Sequence, residues 1–374
     1  ERGLAAHWRY KGIKGETGLD EWLTSVREAL ENADNDSMKV MDQFKMDLYE
    51  DEVFVFTPKG DLFKLAKGAT VLDFAFHIHS KLGCKCIGAK VNGKNVQLTQ
   101  DVTLTDALTF DNAVTIDLNG KTLTSSLNSN GYSLVTYADA TIVNGTYKGT
   151  GTARGIAACG NLKMRNVTVD VAGQVGVACS AADRQYTIED STIKGGYALC
   201  NFNNNATINV SNSTLEGTTT GFYHNGSNSG LNLTVTGTKI NAGNNGTDAT
   251  GVYISGSTAT RDAGGYQKAS FTDCTVKGNA AIEVKYTDLT LNNCTVTATV
   301  PAANASYTQS NNGSTTNGFA VVSTDNATNN TMPKPEGTIT INGGSYTGLI
   351  GLHSFAKIAT DFPGFVDASY VINP

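Results

Sequence analysis

Two regimes of hydrophobic patterning divide the chain. From Thr17 onward, Leu19, Trp22, Leu23, Val26 and Leu30 recur at intervals of three and four, the stripe of an amphipathic helix, with Thr17 and Asp20 placed as a cap pair. Ser37 caps a second stripe of Val40, Met41, Phe44 and Leu48. The pattern then shortens. Residues 53–56 predict a strand, 57–61 (Thr-Pro-Lys-Gly-Asp) a turn and 62–65 the returning strand. Thr70 caps a helix with Val71, Ala75, Ile78 and Leu82 on one face, and Gly83 suits the left-handed closing position. Residues 89–91 and 95–98 flank Asn92-Gly93, a strong hairpin signal. Two hairpins around one helix predict a small α+β unit of the β-grasp kind.

Past residue 98 helical spacing gives way to a repeat. An apolar residue is followed two positions on by Asn, Asp or Gly, then usually by Thr or Ser, then by another apolar residue. The rungs are Ile142-Asn144-Thr146-Tyr147, Met164-Asn166-Thr168-Val169, Ile188-Asp190-Thr192-Ile193 and Val210-Asn212-Thr214-Leu215. They continue as Val235-Gly237-Lys239-Ile240, Phe271-Asp273-Thr275-Val276, Leu291-Asn293-Thr295-Val296 and Ile341-Gly343-Ser345-Tyr346, and most steps are 20 to 25 residues. A second column places Gly before an apolar residue at Gly155, Gly176, Gly196, Gly221, Gly251 and Gly318, with Ala281 as a variant. Short strands stacked turn on turn predict a right-handed parallel β-helix, a solenoid whose core is the ladder of inward side chains. The fold class is mainly β.

Charge sharpens the division. Of the first 98 residues 29 are charged, against 33 of the remaining 276. The expected organisation is a helical remnant over 1–50, a β-grasp domain over 51–98, extending to 116 if the next stretch supplies its last strand, and a β-helix over 99–374. Residues 1–52 carry a net −6 and residues 53–98 a net +5, so positive potential gathers on the small domain, where a polyanion would sit. No apolar run approaches the ~18 residues of a membrane span, and no signal peptide is visible, so the chain as written is expected to be cytoplasmic.

The repeat also removes tempting chemistry. Asp190 and Asp273 share a column with Asn144, Asn166, Asn212, Asn293, Gly237 and Gly343, types that tolerate left-handed backbone, so they are expected to be bend residues rather than acids. No adjacent Asp pair and no Ca²⁺-type cluster occurs in 99–374, and Glu189 and Asp190, as strand neighbours, face opposite ways. No enzyme activity, cofactor or metal is expected. Cys274 and Cys294 fall at identical frame positions, and Cys159, Cys179 and Cys200 lie three or four residues after their glycines, so both sets are expected to be stacked inward thiols. Cys84 and Cys86 lack a second pair for a metal site. The position after each inward residue of the glycine column should face out. There Ala157, Ala178 and Ala198 give way to Tyr223, Tyr253 and Glu283, which with His224 form a candidate glycan-contact stripe.

Residues 52–61 (Glu-Val-Phe-Val-Phe-Thr-Pro-Lys-Gly-Asp), Gly68-Ala69-Thr70, Asp73-Phe74-Ala75-Phe76, Ile78-His79 and Ala89-Lys90-Val91-Asn92-Gly93-Lys94 together resemble the TGS domain of RelA/SpoT-type (p)ppGpp synthetases and hydrolases. Residues 3–11 are similar to the stretch that closes the synthetase domain in that family. The resemblance implies a non-catalytic stringent-response module that senses deacylated tRNA on the ribosome, with His79 facing the RNA 3′ end. Lys59, Lys81, Lys85, Lys90 and Lys94 are the accompanying RNA-binding candidates. The sequence departs from the family at 108–116, where its Gly-Asp pair is missing. Asp117-Leu118-Asn119-Gly120-Lys121-Thr122-Leu123 looks like the opening coil of bacterial surface β-helices of the pectate-lyase-like superfamily, a likeness of architecture. Joined, the halves read as a truncated or chimeric chain; the alternative is a cell-surface adhesin or glycan-binding β-helix of a kind usually exported.

Overall fold

The computed structural model describes residues 52–57, 62–66, 69, 71–78, 90–91, 94–95, 98–171, 173–224, 230–243, 249–256, 266–307, 316–324 and 337–352. The expected helices within 17–30 and 37–48, the helix end at Gly83, and Cys84 and Cys86 lie outside the described residues.

The chain divides into two units, 1–74 and 75–374. In the first, Glu52–Phe56 pairs antiparallel with Leu62–Ala66, Val53 opposite Leu65. Leu65 is buried, and the Phe63 and Phe74 rings meet edge to face at 5.5 Å. A helix over Val71–Ile78 straddles the division, starting where Thr70 was expected to cap it. In the second unit Lys90–Val91 pairs antiparallel with Lys94–Asn95 across the Asn92-Gly93 position.

From Val102 to Leu352 the described residues form a parallel β-solenoid within a mainly β structure. Ile116, Ile142, Met164, Ile188, Val210, Val235, Phe271, Leu291 and Ile341 stand directly above one another in successive rungs. All are buried to 3% exposure or less and belong to one continuous core. Parallel in-register pairing places like residues on like residues, so each coil buries its apolar side chains against the coils on either side, and no coil has a core alone. A surface column repeats the logic in charge: Lys148, Asp170, Lys194 and Glu216 alternate in sign, with Lys194 Nζ 2.8 Å from Glu216.

The corner between two strands of each coil carries the frame. Asn144, Asn166, Asp190, Asn212, Gly237, Asp273 and Asn293 all have φ between 47° and 59°. That conformation costs most L-residues about 1–2 kcal/mol, and Asn, Asp and Gly least, which explains the column and confirms Asp190 and Asp273 as bend residues. Their amides also link coils, with Asn166 Nδ2 donating to Asn144 Oδ1 at 3.2 Å and Asn293 Nδ2 to Asp273 Oδ1 at 2.6 Å. The following residue forms a second polar thread inside the corner. Ser191 and Ser213 donate to the carbonyls two residues back, at 2.7 and 2.6 Å, while their oxygens accept the N–H groups of Val167 and Ser191, each at 3.1 Å.

The first rungs settle what 102–117 build. Val102–Leu104, Leu108–Phe110 and Val114–Asp117 pair in parallel with Thr122–Ser125, Tyr132–Thr136 and Ala140–Gly149 respectively. The stretch that resembles a TGS closing strand in position is thus part of the solenoid ladder.

One expectation fails by register. Cys159, Cys179 and Cys200 do not stack: Cys179 aligns with Ala158 and Asn201, whereas Cys200 aligns with Ala178 and Tyr223. Lys194 pairs with Asp170 and Tyr197 with Val175, so two fewer residues span this part of the coil than in the coil before it, and Ala198, not Gly196, takes the place above Gly176. Counting from Gly196 therefore displaces the frame by two, and Ala198 sits in the main core instead of facing out.

Two substitutions measure these forces. In urea unfolding, Asn166→Gly should keep the unfolding free energy within a few tenths of a kcal/mol of the parent, whereas Asn166→Val should lose about 1–2 kcal/mol by forcing a β-branched residue into left-handed geometry. Phe271→Ala should cost about 3–5 kcal/mol, since the neighbouring coils hold the vacated space open.

Candidate functional site

Of the RNA-binding candidates, His79, Lys59, Lys81 and Lys85 lie outside the described residues. Lys90 and Lys94 fall on two short strands that pair antiparallel, so the chain brings them to one ladder. On the helix, His77 occupies the last turn and is exposed, and Lys64 on the preceding strand is exposed too.

The solenoid's glycan stripe is largely not a surface. Tyr253 is 1% exposed, Glu283 0% and His224 0%, while Tyr223 is half-buried. Two causes differ. His224 stands two residues after the inward Phe222 and points inward as well, in the column of Cys179, Asn201 and Ile254, with Nδ1 2.9 Å from Asn201 Nδ2. Tyr253 and Glu283 do share the outward column with Cys200 and Tyr223, but both are buried, Tyr253 with the Tyr223 ring and the Lys285 ammonium against it and Glu283 under another segment.

That cover is an arm inserted between the strand Thr287–Ala298 and the next core strand, Phe319–Thr324. Its short antiparallel pair, Ser306–Tyr307 with Thr316–Asn317, comes down on Glu283. Thr316 donates to Glu283 Oε2 from both its backbone N, at 3.1 Å, and its hydroxyl, at 2.8 Å. Thr324 Oγ1 donates to Oε1 at 3.4 Å, and Lys285 Nζ lies 3.8 Å from the same oxygen with neither side chain exposed. Lys285 Nζ also sits 5.2 Å from the centre of the Tyr253 ring. A carboxylate so supplied with donors is a fastening for the arm; sealed from solvent, it has no substrate to act on. Lys285 escaped sequence reasoning because its outward place on the strand gives no sign of burial.

Beyond the arm the same face is open and aromatic. Tyr223 stacks on Tyr253 at 5.4 Å and meets Tyr197 edge on at 5.3 Å and Phe202 at 6.2 Å. The half-buried rings of Tyr132, Tyr197, Phe202 and Tyr223 pack over Val175, Ala178 and Cys200. Exposed Arg154 places its guanidinium 5.5 Å from the Tyr132 ring centre. Burial pushes the Cys200 and Cys179 thiols well above their usual range, so neither is a ready nucleophile. Among the described residues no group of three His, Cys, Asp or Glu could hold a metal ion, and no helix is long and apolar enough to cross a membrane.

Comparison with known proteins places the likeness entirely at the front of the chain. The relatives include a GTP pyrophosphokinase of Myxococcus xanthus, 48% identical over 102 residues, which cover 26% of this chain and 13% of that protein. A guanosine-3′,5′-bis(diphosphate) 3′-pyrophosphohydrolase of Aquifex aeolicus is 42% identical over 110 residues, 29% of this chain and 16% of its own length. The GTP pyrophosphokinase of Escherichia coli K12 is 39% identical over 115 residues, 29% and 15%. The chain thus spans only 13% to 16% of these curated relatives. No solved structure matches it. Residues 53–116 match the TGS domain family, and the last strands of that match are the first rungs of the solenoid.

Proposed function

We propose that residues 53–98 act as a non-catalytic regulatory TGS module of the RelA/SpoT stringent-response type, binding deacylated tRNA or the ribosome. The observation that carries this reading is the TGS match at 53–116, with relatives named for (p)ppGpp chemistry aligned over that region. The net +5 of residues 53–98, against −6 for residues 1–52, supports it, because phosphate contacts supply most of the affinity for RNA. His79 is the residue assigned to the RNA end, and Lys59, Lys81, Lys85, Lys90 and Lys94 are the accompanying RNA-binding candidates. No catalytic domain is evident in this chain, so the module's part is sensing rather than alarmone chemistry. We read the whole as a chimeric join of this module to a solenoid of other origin; contiguous genomic DNA across codons 80–120 tests that, and an unbroken reading frame in independent isolates would refute it.

In filter binding of deacylated tRNA to the full chain, the logarithm of affinity should fall with the logarithm of salt at a slope of about −4 for five phosphate contacts. His79→Ala should weaken binding at every salt concentration, and Lys90→Ala with Lys94→Ala should flatten the slope by about 1 to 2. Binding that ignores salt would sink the reading.

A second reading concerns the solenoid, where the half-buried rings of Tyr132, Tyr197, Phe202 and Tyr223 beside exposed Arg154 favour a glycan contact. Sugar rings stack on such faces while a nearby cation meets their oxygens. A glycan array probed with the parent and with Tyr197→Ala should show signals that the substitution removes; an array blank for both proteins ends this reading.

A further inference from the structure

The corner thread described above changes chemistry at its far end. Ser191 and Ser213 are followed in the column by Thr238, whose hydroxyl accepts the Ser213 N–H at 3.3 Å and donates to the Thr236 carbonyl at 2.9 Å. The next two members are Cys274 and Cys294. Each thiol keeps the same partner, Cys274 Sγ donating to the Thr272 carbonyl at 3.2 Å and Cys294 Sγ to the Asn292 carbonyl at 3.4 Å. The thread therefore holds both thiols in the pose of the serines before them.

That pose stacks them. Thr272 pairs with Asn292 and Thr275 with Thr295, so the two cysteines between these pairs occupy one place on adjacent coils. Adjacent strands lie about 4.8 Å apart. A disulfide accepts Cα separations of about 4.4–6.8 Å. The side chains are 2% and 0% exposed, and each influences the other's titration: the thiol–thiol hydrogen bond holds Cys294 below its ordinary value and drives Cys274 up. The other described cysteines share no column with each other, so this is the one stacked pair among the described residues.

We propose that Cys274 and Cys294 are a disulfide-forming pair that welds two neighbouring coils of the solenoid. The Cys294 thiolate attacks a small disulfide such as oxidised glutathione, breaking its S–S bond and releasing one thiol. Cys274, losing its proton to solvent, displaces the second glutathione thiol. Two protein S–H bonds are lost, one S–S bond forms, and the two electrons reduce oxidised glutathione to two thiols. Burial places the reaction during folding or a local opening of the coils. The bond closes a loop of about 20 residues, which restricts the unfolded chain and stabilises the coils it joins.

The full chain is refolded in a glutathione redox buffer, alkylated and digested with trypsin without reduction. Lys277 and Lys285 lie between the two cysteines, so their peptides separate unless linked. The expected product is one linked species about 2 Da lighter than the two thiol peptides together, with an apparent melting midpoint about 5 °C above that of the reduced chain. Cys274→Ser and Cys294→Ser, which install the residue the column uses elsewhere, should fold and lose that difference. Alkylation of both thiols after oxidative refolding would overturn the proposal. So would a linked species that melts where the reduced chain does.

Discussion

Everything in the solenoid depends on the left-handed corner. A coil must turn sharply at one fixed place, and the residue there must accept a φ near 50° without a steric penalty. Once Asn, Asp or Gly holds that place in every coil, the inter-coil hydrogen bonds fall into register and each inward residue meets its counterpart above and below. A slip of one residue would send the core side chains to the surface. The cost would be large, because single side chains such as Phe271 and Ile142 serve as floor to one coil and roof to the next. The amide links between corners and the hydroxyl thread behind them hold the same register by polar means, so apolar and polar interactions select one alignment.

This is why the architecture was legible in the sequence and the surface was not. The corner column and the inward column both follow from backbone geometry, which every coil repeats, and the stacking of Ile142, Met164 and Ile188 came out as read. The glycine column was a weaker guide because it marks close backbone approach rather than an obligatory conformation. A shortfall of two residues between Lys194 and Tyr197, relative to Asp170 and Val175 in the coil before, was enough to misplace Ala198 and to merge Cys179 with Cys200. His224 was misplaced by parity as well, since its inward direction follows from being two residues past Phe222.

Residues 99–116 show the opposite situation, in which the pattern is clear and its owner is not. The last strand of a small β-grasp sheet and the first rung of a solenoid ask the same thing of a sequence: a short alternation with one apolar face. Leu108–Phe110 and Val114–Asp117 satisfy both, and a family match running to 116 coexists with a parallel ladder that begins at 102. What decides the pairing is the partner strand's length and direction. The solenoid offers parallel strands already carrying the complementary apolar face, Ile142 beside Ile116 and Leu134 beside Leu108.

The covered face carries the general lesson about the site. Alternation gives the side of a strand on which a residue lies, but burial depends on what passes over that side, and the passing segment is remote in sequence. The step from Leu291 to Ile341 is 50 residues, the longest in the series, where most others are 20 to 25, and that surplus was the available sign of an arm. An arm laid over the outward column would strand any charge beneath it, because removing an ion from water costs several kcal/mol unless other groups replace its hydration. Glu283 and Lys285 meet that demand jointly, each serving as counter-ion to the other, while the Thr316 and Thr324 hydroxyls and a backbone N–H complete the carboxylate's shell. Their charges thereby specify where the arm lands, since an arm displaced by one residue would leave the carboxylate without those donors.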